Sequence, residues 1–598
     1  MPDLTISTLL ADYHGGRRNP REVIGALMRT VQAGDDHNIW ITVLDEAALE
    51  PYLARLERSN PAELPLYGIP FVIKDNIDLV GVPTTAGCPA YAYQPEESAF
   101  VVQRLIDAGA IPLGKTNLDQ FATGLVGARS PYGPGRNPFD PAYVSGGSSS
   151  GSAVAVSLGL ASFSLGTDTA GSGRVPAAFN NLIGVKPSCG LLSARGVVPA
   201  CRSIDTISIF AGTAADAQAV LNVAAAYDAG DAYSRPDSVP ALGHGSIPAA
   251  GFRFGVPLAA QLEFFGDDDA ARLFRDSVAR LQSLGGERVD IDFQPFLDAA
   301  RLLYEGPWVS ERYAAIQGFM EENSEALFPV TREIIGGGAA PRAVDAFNAG
   351  YRLRELKRLA DVAWSHVDLI MTPTAGTIYT VDAVNAEPVR LNSNLGYYTN
   401  FMNLLDYSAL AVPGGFRADG MPFGVTLFAP AFYDHDLLAV GDRLHRVAGL
   451  PLGASGKPLP EQPPVTASHD HVIEIAVCGA HMRGLPLNPQ LTDRNARFVR
   501  TVRSAPEYRF YALAGGPPQR PGMVRVTDGG GAIDMEIWSV PADRFGSFVA
   551  GIPAPLGIGR VRLEDGGDVC GFTCEAAGVE GAEDITVLGS WRRYLEVR

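Results

Sequence analysis

The chain contains few histidines, cysteines and basic residues for its length. Only 9 of its 598 residues are histidine and 6 are cysteine. Cysteines this sparse exclude a disulfide framework and are typical of a protein from a reducing compartment. Lysine and arginine total 48 against 66 acidic residues, which gives a formal net charge of -18. This excess of negative charge argues against nucleic acid as a partner.

Long hydrophobic runs are also absent. No stretch reaches the roughly 18 uninterrupted apolar residues of a membrane helix. The first residues, MPDLTISTLLADYHGGRR, lack the basic region and long apolar core of a secretory signal and predict a short amphipathic helix instead. We therefore expect a soluble, cytoplasmic protein with no membrane partner.

One change of composition divides the chain. Residues 451–464, PLGASGKPLPEQPP, are rich in proline and glycine, as linkers are. The segments before them alternate between helical and strand-like patterns, which predicts an α/β fold. After them, short runs separated by glycine predict a smaller domain with a mostly β pattern. We expect domains at residues 1–455 and 469–598, joined by a linker at 456–468.

The segment GGSSSGSAVAVSLGLASFSLGTDTAGSGR places two serines in glycine-rich turns. Ser148 lies in the first turn and Ser172 in the second. A serine hydroxyl is a poor nucleophile near neutral pH, so an enzyme that uses one needs a base beside it and amide donors around the oxyanion. The second turn precedes a predicted helix, VPAAFNNL, whose N-terminal N–H groups and positive dipole end would stabilise such an anion.

Histidine does not supply the base in this pattern, because none of the histidines lies near these turns in the sequence. The G-x-S-x-G turn of serine esterases is absent around Ser172 as well. Lys74 follows FVI in YGIPFVIKDNID, and burial can lower the pKa of a lysine enough to leave a neutral amine that accepts a proton. Taken alone, a serine-glycine run is typical of a flexible or phosphate-binding loop, and a lysine here of a strand-end charge.

These segments resemble the signature of the amidase signature family, over roughly residues 20 to 450. The resemblance implies an α/β fold with a large mixed β-sheet covered by helices. It also implies that a Ser-cisSer-Lys triad hydrolyses an amide without metal or cofactor. Ser172 would be the nucleophile, Ser148 the bridging serine after a cis peptide, and Lys74 the base. The oxyanion donors would be the backbone N–H groups of Thr169, Ala170, Gly171 and Ser172.

The residues after Pro464, including VCGAHMRGLPLN, resemble the C-terminal domain of allophanate hydrolases, an α+β domain similar to γ-glutamyl cyclotransferases. The resemblance implies allophanate, a urea that carries a carboxylate, as the small-molecule substrate. It also implies that Tyr304 and Arg312, two turns apart on one helix, bind the carboxylate, and that Gly124 adds a backbone contact. Without the resemblance, LLYEGPWVSERYAAI is typical of an amphipathic helix with a half-buried ring and a solvated cation.

His481 in CGAHMRG is the candidate catalytic residue of the second domain. Hydrolysis of allophanate would release ammonia and N-carboxycarbamate, which must still lose carbon dioxide. A histidine can move a proton near neutral pH for that step. A histidine in a loop also serves structural roles, and the domain could serve assembly instead.

Three functions stay open from the sequence. The first is hydrolysis of allophanate, with a urea carboxylase as a possible partner and a homodimer formed through the large domain. The second is hydrolysis of another small amide, or service as the glutaminase component of a transamidation complex, which the lack of a basic surface disfavours. The third is a non-enzymatic binding protein, which the presence of Lys74, Ser148 and Ser172 disfavours.

Overall fold

The computed structural model describes residues 3–235, 247–248, 251–466, 472–494 and 496–598. The described residues up to 466 form one compact unit, and those from 472 onward form a second. The expected linker reaches residue 468, so its last two residues lie outside the described part of the chain.

Among the described residues, eleven strands of the first unit form one mixed sheet. In chain order they are β1 (Trp40–Val43), β2 (Pro70–Lys74), β3 (Ile111–Thr116), β4 (Phe163–Asp168), β5 (Ile183–Lys186), β6 (Thr206–Ala211), β7 (Arg253–Pro257), β8 (Glu287–Ile291), β9 (Leu369–Pro373), β10 (Tyr407–Phe416) and β11 (Pro422–Pro430). Their order across the sheet is β1-β3-β2-β4-β6-β5-β10-β11-β9-β7-β8. Strands β2 to β6 are buried along their whole length, as expected for strands covered on both faces.

The helices of this unit pack on the sheet and on one another. They are α1 (Ile6–His14), α2 (Pro20–Gln32), α3 (Glu46–Glu57), α4 (Phe100–Asp107), α5 (Ser150–Ser157), α6 (Val175–Phe179), α7 (Ala214–Ala224), α8 (Asp268–Ser283), α9 (Gln294–Glu305), α10 (Trp308–Asn323), α11 (Pro329–Gly336), α12 (Ala343–Ala360), α13 (Val381–Ala386), α14 (Arg390–Leu395) and α15 (Asp434–Ala448). The short N-terminal helix expected from the sequence is confirmed as α1. No helix in the described ranges has the length and apolar character needed to cross a membrane.

Local sequence signals explain several helix boundaries. Helix α2 begins with a capping box, in which Asn19 accepts a hydrogen bond from the Glu22 N–H and the Glu22 carboxylate accepts one from the Asn19 N–H. Pro20 occupies the first helical position, where its missing N–H costs nothing. Buried apolar residues then recur on one face of the helix, at Val23, Leu27 and four further positions.

Three parallel strands decide where polar side chains meet. Strand β2 lies between β3 and β4 and pairs parallel with both. The carboxyl ends of parallel neighbours meet at the same edge of a sheet, which is where α/β folds place their sites. Lys74 ends β2, and Thr167 is the penultimate residue of β4. The sheet order therefore brings their side chains to one edge.

The second unit is mostly β. Its strands are β12 (Val472–Val477), β13 (Arg497–Arg503), β14 (Tyr508–Ala512), β15 (Pro521–Arg525), β16 (Asp534–Pro541), β17 (Leu556–Arg562), β18 (Asp568–Cys574) and β19 (Glu583–Asp584), and its helices are α16 (Pro489–Thr492), α17 (Ala542–Ala550) and α18 (Trp591–Glu596). Two sheets form, in the orders β13-β16-β12-β18-β17 and β15-β14-β19. Trp538, Trp591 and Tyr508 are among the buried residues of its core.

The proline-rich stretch that follows α15 lies on the first unit over much of its length. The Ala454 N–H donates to the Ser157 carbonyl at 2.9 Å, and the Val465 N–H donates to Asp442 Oδ2 at 3.1 Å. Asn181 Nδ2 donates to the Pro451 carbonyl at 2.7 Å. Residues 451–466 therefore have defined contacts although they contain no helix or strand.

Candidate active site

The side chain of Lys74 lies in the interior, fully buried. Its Nζ is 2.7 Å from Ser148 Oγ and 2.7 Å from Thr167 Oγ1. Burial lowers the pKa of Lys74 to about 7, although the carboxylates of three nearby aspartates act to raise it. The amine is therefore able to lose its proton near neutral pH, and it contacts two hydroxyls.

Ser148 lies in a turn shaped by its two glycines. The Gly147–Ser148 peptide is cis, as the resemblance implied, and Gly146 has a φ of +77°, which favours glycine. A Cβ at Gly146 would lie 2.8 Å from the Cα of Pro176. The turn therefore packs directly against the first residues of α6, just after the loop that carries Ser172.

Thr167 and Ser149 fix this turn to the sheet. The Ser149 hydroxyl donates to the Thr167 carbonyl at 3.2 Å, and the Thr167 N–H donates to Ser149 Oγ at 3.3 Å. Ser149 is the residue before α5, but its side chain makes no capping bond to that helix. The Ser149 hydroxyl therefore holds the Ser148 turn against β4 and does not cap the helix.

Asp168 organises the loop that carries Ser172. Its two oxygens accept the N–H groups of Gly171 and Gly173, each at 2.9 Å, and the guanidinium of Arg174 twice at 3.0 Å. Asp168 and Arg174 are both completely buried. Burial alone would raise the pKa of the Asp168 carboxyl, but the Arg174 guanidinium outweighs it and holds the pKa below its usual value. Ser172 itself is 3% exposed.

Asp205 binds the first residue of this loop, Thr169. The Thr169 hydroxyl donates to Asp205, whose carboxylate also accepts the Ala200 N–H at 2.7 Å. Burial raises the pKa of Asp205 to about 6. Asn403 donates to the Asp168 carbonyl at 2.8 Å. Both ends of the serine loop are thus fixed by buried side chains.

The helix after Ser172 is shorter than expected. The sequence VPAAFNNL predicts two turns, but α6 covers only Val175–Phe179, and Asn181 has a φ of +55°. The N–H groups of Arg174 and Val175 both donate to the Gly171 carbonyl, at 2.9 and 2.8 Å. The prediction of an anion site at this helix start is therefore wrong, because the helix is too short for a strong dipole and its first amides are occupied.

Tyr304 and Arg312 do not share one helix. Tyr304 lies in α9 and Arg312 in α10, and the helices are separated by Gly306 and Pro307. Gly306 has extended backbone, and Pro307 disfavours helical geometry in the residue before it. The prediction of one continuous helix is wrong, yet the side chains still meet, since the Arg312 guanidinium lies 5.7 Å from the centre of the Tyr304 ring.

Arg312 is buried and makes no ion pair with any carboxylate of the described residues. It is 2% exposed, and its Nη1 donates to Thr123 Oγ1 at 3.2 Å and to the Ala122 carbonyl at 3.4 Å. Its Nε is buried without a hydrogen-bond partner. A cation in this state is poised to accept an anionic ligand, because an unpaired buried charge is costly.

Gly124 follows the segment that Arg312 contacts. A Cβ at Gly124 would lie 2.6 Å from Asp119 Oδ2 and 3.1 Å from Arg129 Cδ. Asp119 in turn accepts the Gly127 N–H at 2.9 Å, and its own N–H donates to the Ser148 carbonyl at 3.0 Å. The bare backbone at Gly124 therefore allows this loop to pack against the Ser148 turn.

His481 belongs to the second unit, where it lies between aromatic rings. Its ring stacks on Phe572 at 5.0 Å and meets the edge of Phe548 at 5.3 Å. His481 Nε2 is 3.1 Å from Gln490 Oε1. Burial lowers the pKa of His481. A neutral ring that is protonated at Nε2 would donate to Gln490 Oε1 and leave the lone pair of Nδ1 free to accept a proton.

The structure thus joins Lys74 and Ser148 directly and places the Ser172 loop beside the Ser148 turn. Sequence reasoning missed Thr167 and the Asp168–Arg174 pair. The pair had a signal, because an aspartate and an arginine flank the glycine turn in GTDTAGSGR. Thr167 had none, since its proximity to Lys74 depends on the order of strands in the sheet.

Comparison with known proteins places this geometry in a family. The sequence profile described as Amidase matches residues 22–438, and the one described as Allophanate hydrolase C-terminal domain matches residues 473–596. The chain belongs to the amidase family, and the expected fold with a large mixed sheet covered by helices is confirmed.

The similar proteins differ in how much of this chain, and of their own length, the match covers. Urea amidolyase of Saccharomyces cerevisiae is 43% identical over 588 residues, which are 94% of this chain but 31% of that protein. The chain therefore spans about a third of that relative. A glutamyl-tRNA(Gln) amidotransferase subunit of Synechococcus sp. (strain CC9605) is 32% identical over 478 residues, 75% of this chain and 96% of the relative. The structure of Kluyveromyces lactis allophanate hydrolase has a TM-score of 0.77 at 41% identity and 99% coverage of both chains.

Replacing Arg174 by Met should destabilise the first unit, because it leaves Asp168 buried with half of its hydrogen-bond donors. Loss of one partner of a buried pair costs roughly 3 to 5 kcal/mol, equivalent to a fall in Tm of about 3 to 5 °C for a unit of this size. Scanning calorimetry would measure it. In Arg21→Met, which removes an exposed pair with Glu50, Tm should change by less than about 1 °C. Equal Tm values for the two variants would contradict the role given to the pair.

Proposed function

We propose that this amidase hydrolyses allophanate with Ser172 as nucleophile, Ser148 as proton relay and Lys74 as base. The observation that carries the proposal is the contact of a buried amine with Ser148 Oγ at 2.7 Å. An amine whose pKa burial lowers to about 7 can accept a proton at neutral pH, which an exposed lysine cannot.

The reaction follows from that contact. Lys74 takes the proton of Ser148, Ser148 takes the proton of Ser172, and the Ser172 oxygen attacks the ureido carbonyl. The relay then returns a proton to the departing nitrogen, and ammonia leaves. Water attacks the acyl-enzyme by the same relay and releases N-carboxycarbamate.

Thr167 orients the base in this scheme. A neutral amine has one lone pair and two N–H donors. If one N–H donates to Thr167 Oγ1, the lone pair can face Ser148, which is the geometry that proton acceptance requires. Thr167 is thereby a positioning residue.

We place the oxyanion on the backbone N–H groups of the serine loop. The Gly171 N–H already donates to Asp168, so Thr169, Ala170 and Ser172 are the donors that we favour. The loop geometry, fixed by Asp168 and Asp205, replaces the helix dipole as the source of preorganisation.

The carboxylate of the substrate would bind Arg312 and Tyr304. An arginine without a carboxylate partner, with a buried and unpartnered Nε, supports this role. The likeness to urea amidolyase and to K. lactis allophanate hydrolase supports the same substrate. The likeness to the glutamyl-tRNA(Gln) amidotransferase relative covers 75% of the chain and favours amide hydrolysis without favouring one amide.

We further propose that the second unit promotes the loss of carbon dioxide from N-carboxycarbamate, with His481 moving the proton. The match to the Allophanate hydrolase C-terminal domain supports a role in this pathway. A urea carboxylase stays the partner that we propose, since this chain matches 31% of urea amidolyase. The homodimer and the cytoplasmic location stay predictions.

The value of kcat/KM for amide hydrolysis should rise with pH through about 7 and level off above it, because protonated Lys74 cannot accept a proton. The fall below pH 7 should approach tenfold, roughly, for each pH unit. Malonamate, a carboxylated amide without the lability of allophanate, is a suitable substrate for the profile. The residual kcat/KM of Lys74→Ala should not show this rise with pH. A flat profile from about pH 5.5 to 8.5 would exclude Lys74 as the base.

Ammonia release should be much faster from allophanate than from biuret or glutamine. Arg312→Ala should raise KM for allophanate by roughly 10- to 100-fold, the value of a charge-assisted hydrogen bond, and change turnover of neutral amides little. Arg352→Ala, which removes an exposed arginine of α12, is the matched control. If Arg312→Ala reduced the turnover of allophanate and of biuret by the same factor, Arg312 would not be the residue that binds the substrate carboxylate.

His481→Ala should release the first ammonia at the wild-type rate but accumulate N-carboxycarbamate, which ¹³C NMR of labelled allophanate would detect. Arg500→Ala, which removes an exposed arginine of β13 in the same unit, should not accumulate it. Identical time courses for His481→Ala and wild type would leave the second unit without a catalytic role and favour assembly.

A further inference from the structure

Arg129 is a second buried guanidinium near the proposed carboxylate site. It is 3% exposed, and burial lowers its pKa from the ordinary value. Its Nη1 donates to the Thr123 carbonyl at 2.9 Å and its Nη2 to the Pro388 carbonyl at 2.5 Å. Of the five N–H donors of an arginine, these bonds use two.

Within the described residues, no carboxylate lies within ion-pair distance of Arg129. Two other buried cations of this unit are paired, since Arg174 binds Asp168 at 3.0 Å and Lys115 binds Asp75 at 3.1 Å, whereas Lys186 donates to the Pro187 carbonyl. Asp119 acts on the charge of Arg129 only from a distance. The carboxylate oxygens of Asp119 accept the backbone N–H groups of Gly127 and Arg129 at 2.9 Å and do not contact the Arg129 guanidinium.

Arg129 and Arg312 bind two different oxygens of the same residue. Arg129 donates to the carbonyl of Thr123, and Arg312 donates to its hydroxyl at 3.2 Å. The two charges repel, since the Arg312 guanidinium acts to lower the pKa of Arg129. Two buried cations that repel each other, and on which Asp119, Asp205 and Glu311 act only from a distance, are stabilised further by a ligand that brings negative charge.

A cavity leads to this cluster. It has a volume of about 810 Å³ and is lined by Arg129, Tyr304 and Asn392 among others. Tyr304 also lies against Arg312. An anionic ligand in the cavity would therefore lie against Arg129 and Tyr304, whose ring also contacts Arg312.

We propose that Arg129 is a specificity-determining residue that binds the carboxylate of the substrate together with Arg312. The inference rests on the proposed function, which assigns one cation to that carboxylate, and adds a second that binds the same residue, Thr123. A carboxylate has about four lone-pair sites, so it can accept from both guanidinium groups at once. Neutral amides would gain nothing from this arrangement.

The alternative is that Arg129 only holds the Thr123 and Pro388 carbonyls in place. Malonamate and malonamide distinguish the two roles, because they differ in one carboxylate against one amide. Arg129→Gln should raise KM for malonamate by roughly tenfold or more and leave kcat and KM for malonamide within about twofold. Arg129→Lys, which keeps the charge and most of the stem, should show a smaller rise for malonamate and none for malonamide. Arg136→Gln changes an exposed arginine nearby and should alter neither substrate.

Equal losses on both substrates, or none on either, would overturn the inference. Should Arg129→Gln not fold, Arg129→Lys decides by the same comparison. A wild-type enzyme that does not prefer malonamate to malonamide would overturn the carboxylate site altogether, Arg312 included. If Arg312→Ala removes that preference and both Arg129 variants keep it, the proposed function stands and this inference alone fails.

Discussion

The removal of one amine from water is the constraint on which the site depends. Lys74 is fully buried and has two hydroxyl neighbours, but its terminal nitrogen forms no ion pair with a carboxylate of the described residues. Desolvation without a paired carboxylate is what brings its pKa down to about 7. A carboxylate in direct contact would restore the charge and remove the base. The fold must therefore bury a lysine without giving it an ion-pair partner, and here the packed edge of the sheet does so.

Four buried cations of the first unit show two kinds of contact. Arg174 contacts Asp168 and Lys115 contacts Asp75, so each of these charges has an aspartate partner inside the protein. Arg129 and Arg312 contact hydroxyl and carbonyl oxygens, and carboxylates act on them only from a distance. The Arg174–Asp168 pair gives the serine loop its shape, and Arg129 and Arg312 are the cations that we propose for the substrate carboxylate. On that proposal an acidic chain binds an anionic substrate through local cations, and its net charge does not decide the binding.

The chemistry-bearing residues were predictable from the sequence because the motifs are continuous and specific. Lys74, Ser148 and Ser172 lie in short segments whose glycines and flanking apolar residues indicate turns and buried strands. The sequence also predicts Tyr304 and Arg312 as a pair, but on one continuous helix, although Gly306 and Pro307 mark a break between them. Glycine followed by proline is typical of a turn, and this pair was the signal in the sequence for two separate helices.

The remaining features depend on tertiary structure. Thr167 reaches Lys74 because β2 and β4 are parallel neighbours, which no local pattern reveals. The short α6 results from the left-handed backbone of Asn181, and the sequence VPAAFNNL favours a longer helix. Arg129 follows a glycine-containing loop and has no motif of its own. Its lack of an ion-pair partner is a property of the packed interior.

The ionisation state of Lys74 tests the account most directly. NMR of protein labelled at the lysine side chains, with Lys74→Arg for assignment, reports whether the Lys74 amine is charged as pH is raised. The account predicts a transition near pH 7, far below the ordinary lysine value of 10.5, and a neutral amine above it. A Lys74 signal that stays that of an ammonium ion up to about pH 10 would contradict it, because no base would then be available to activate the serine.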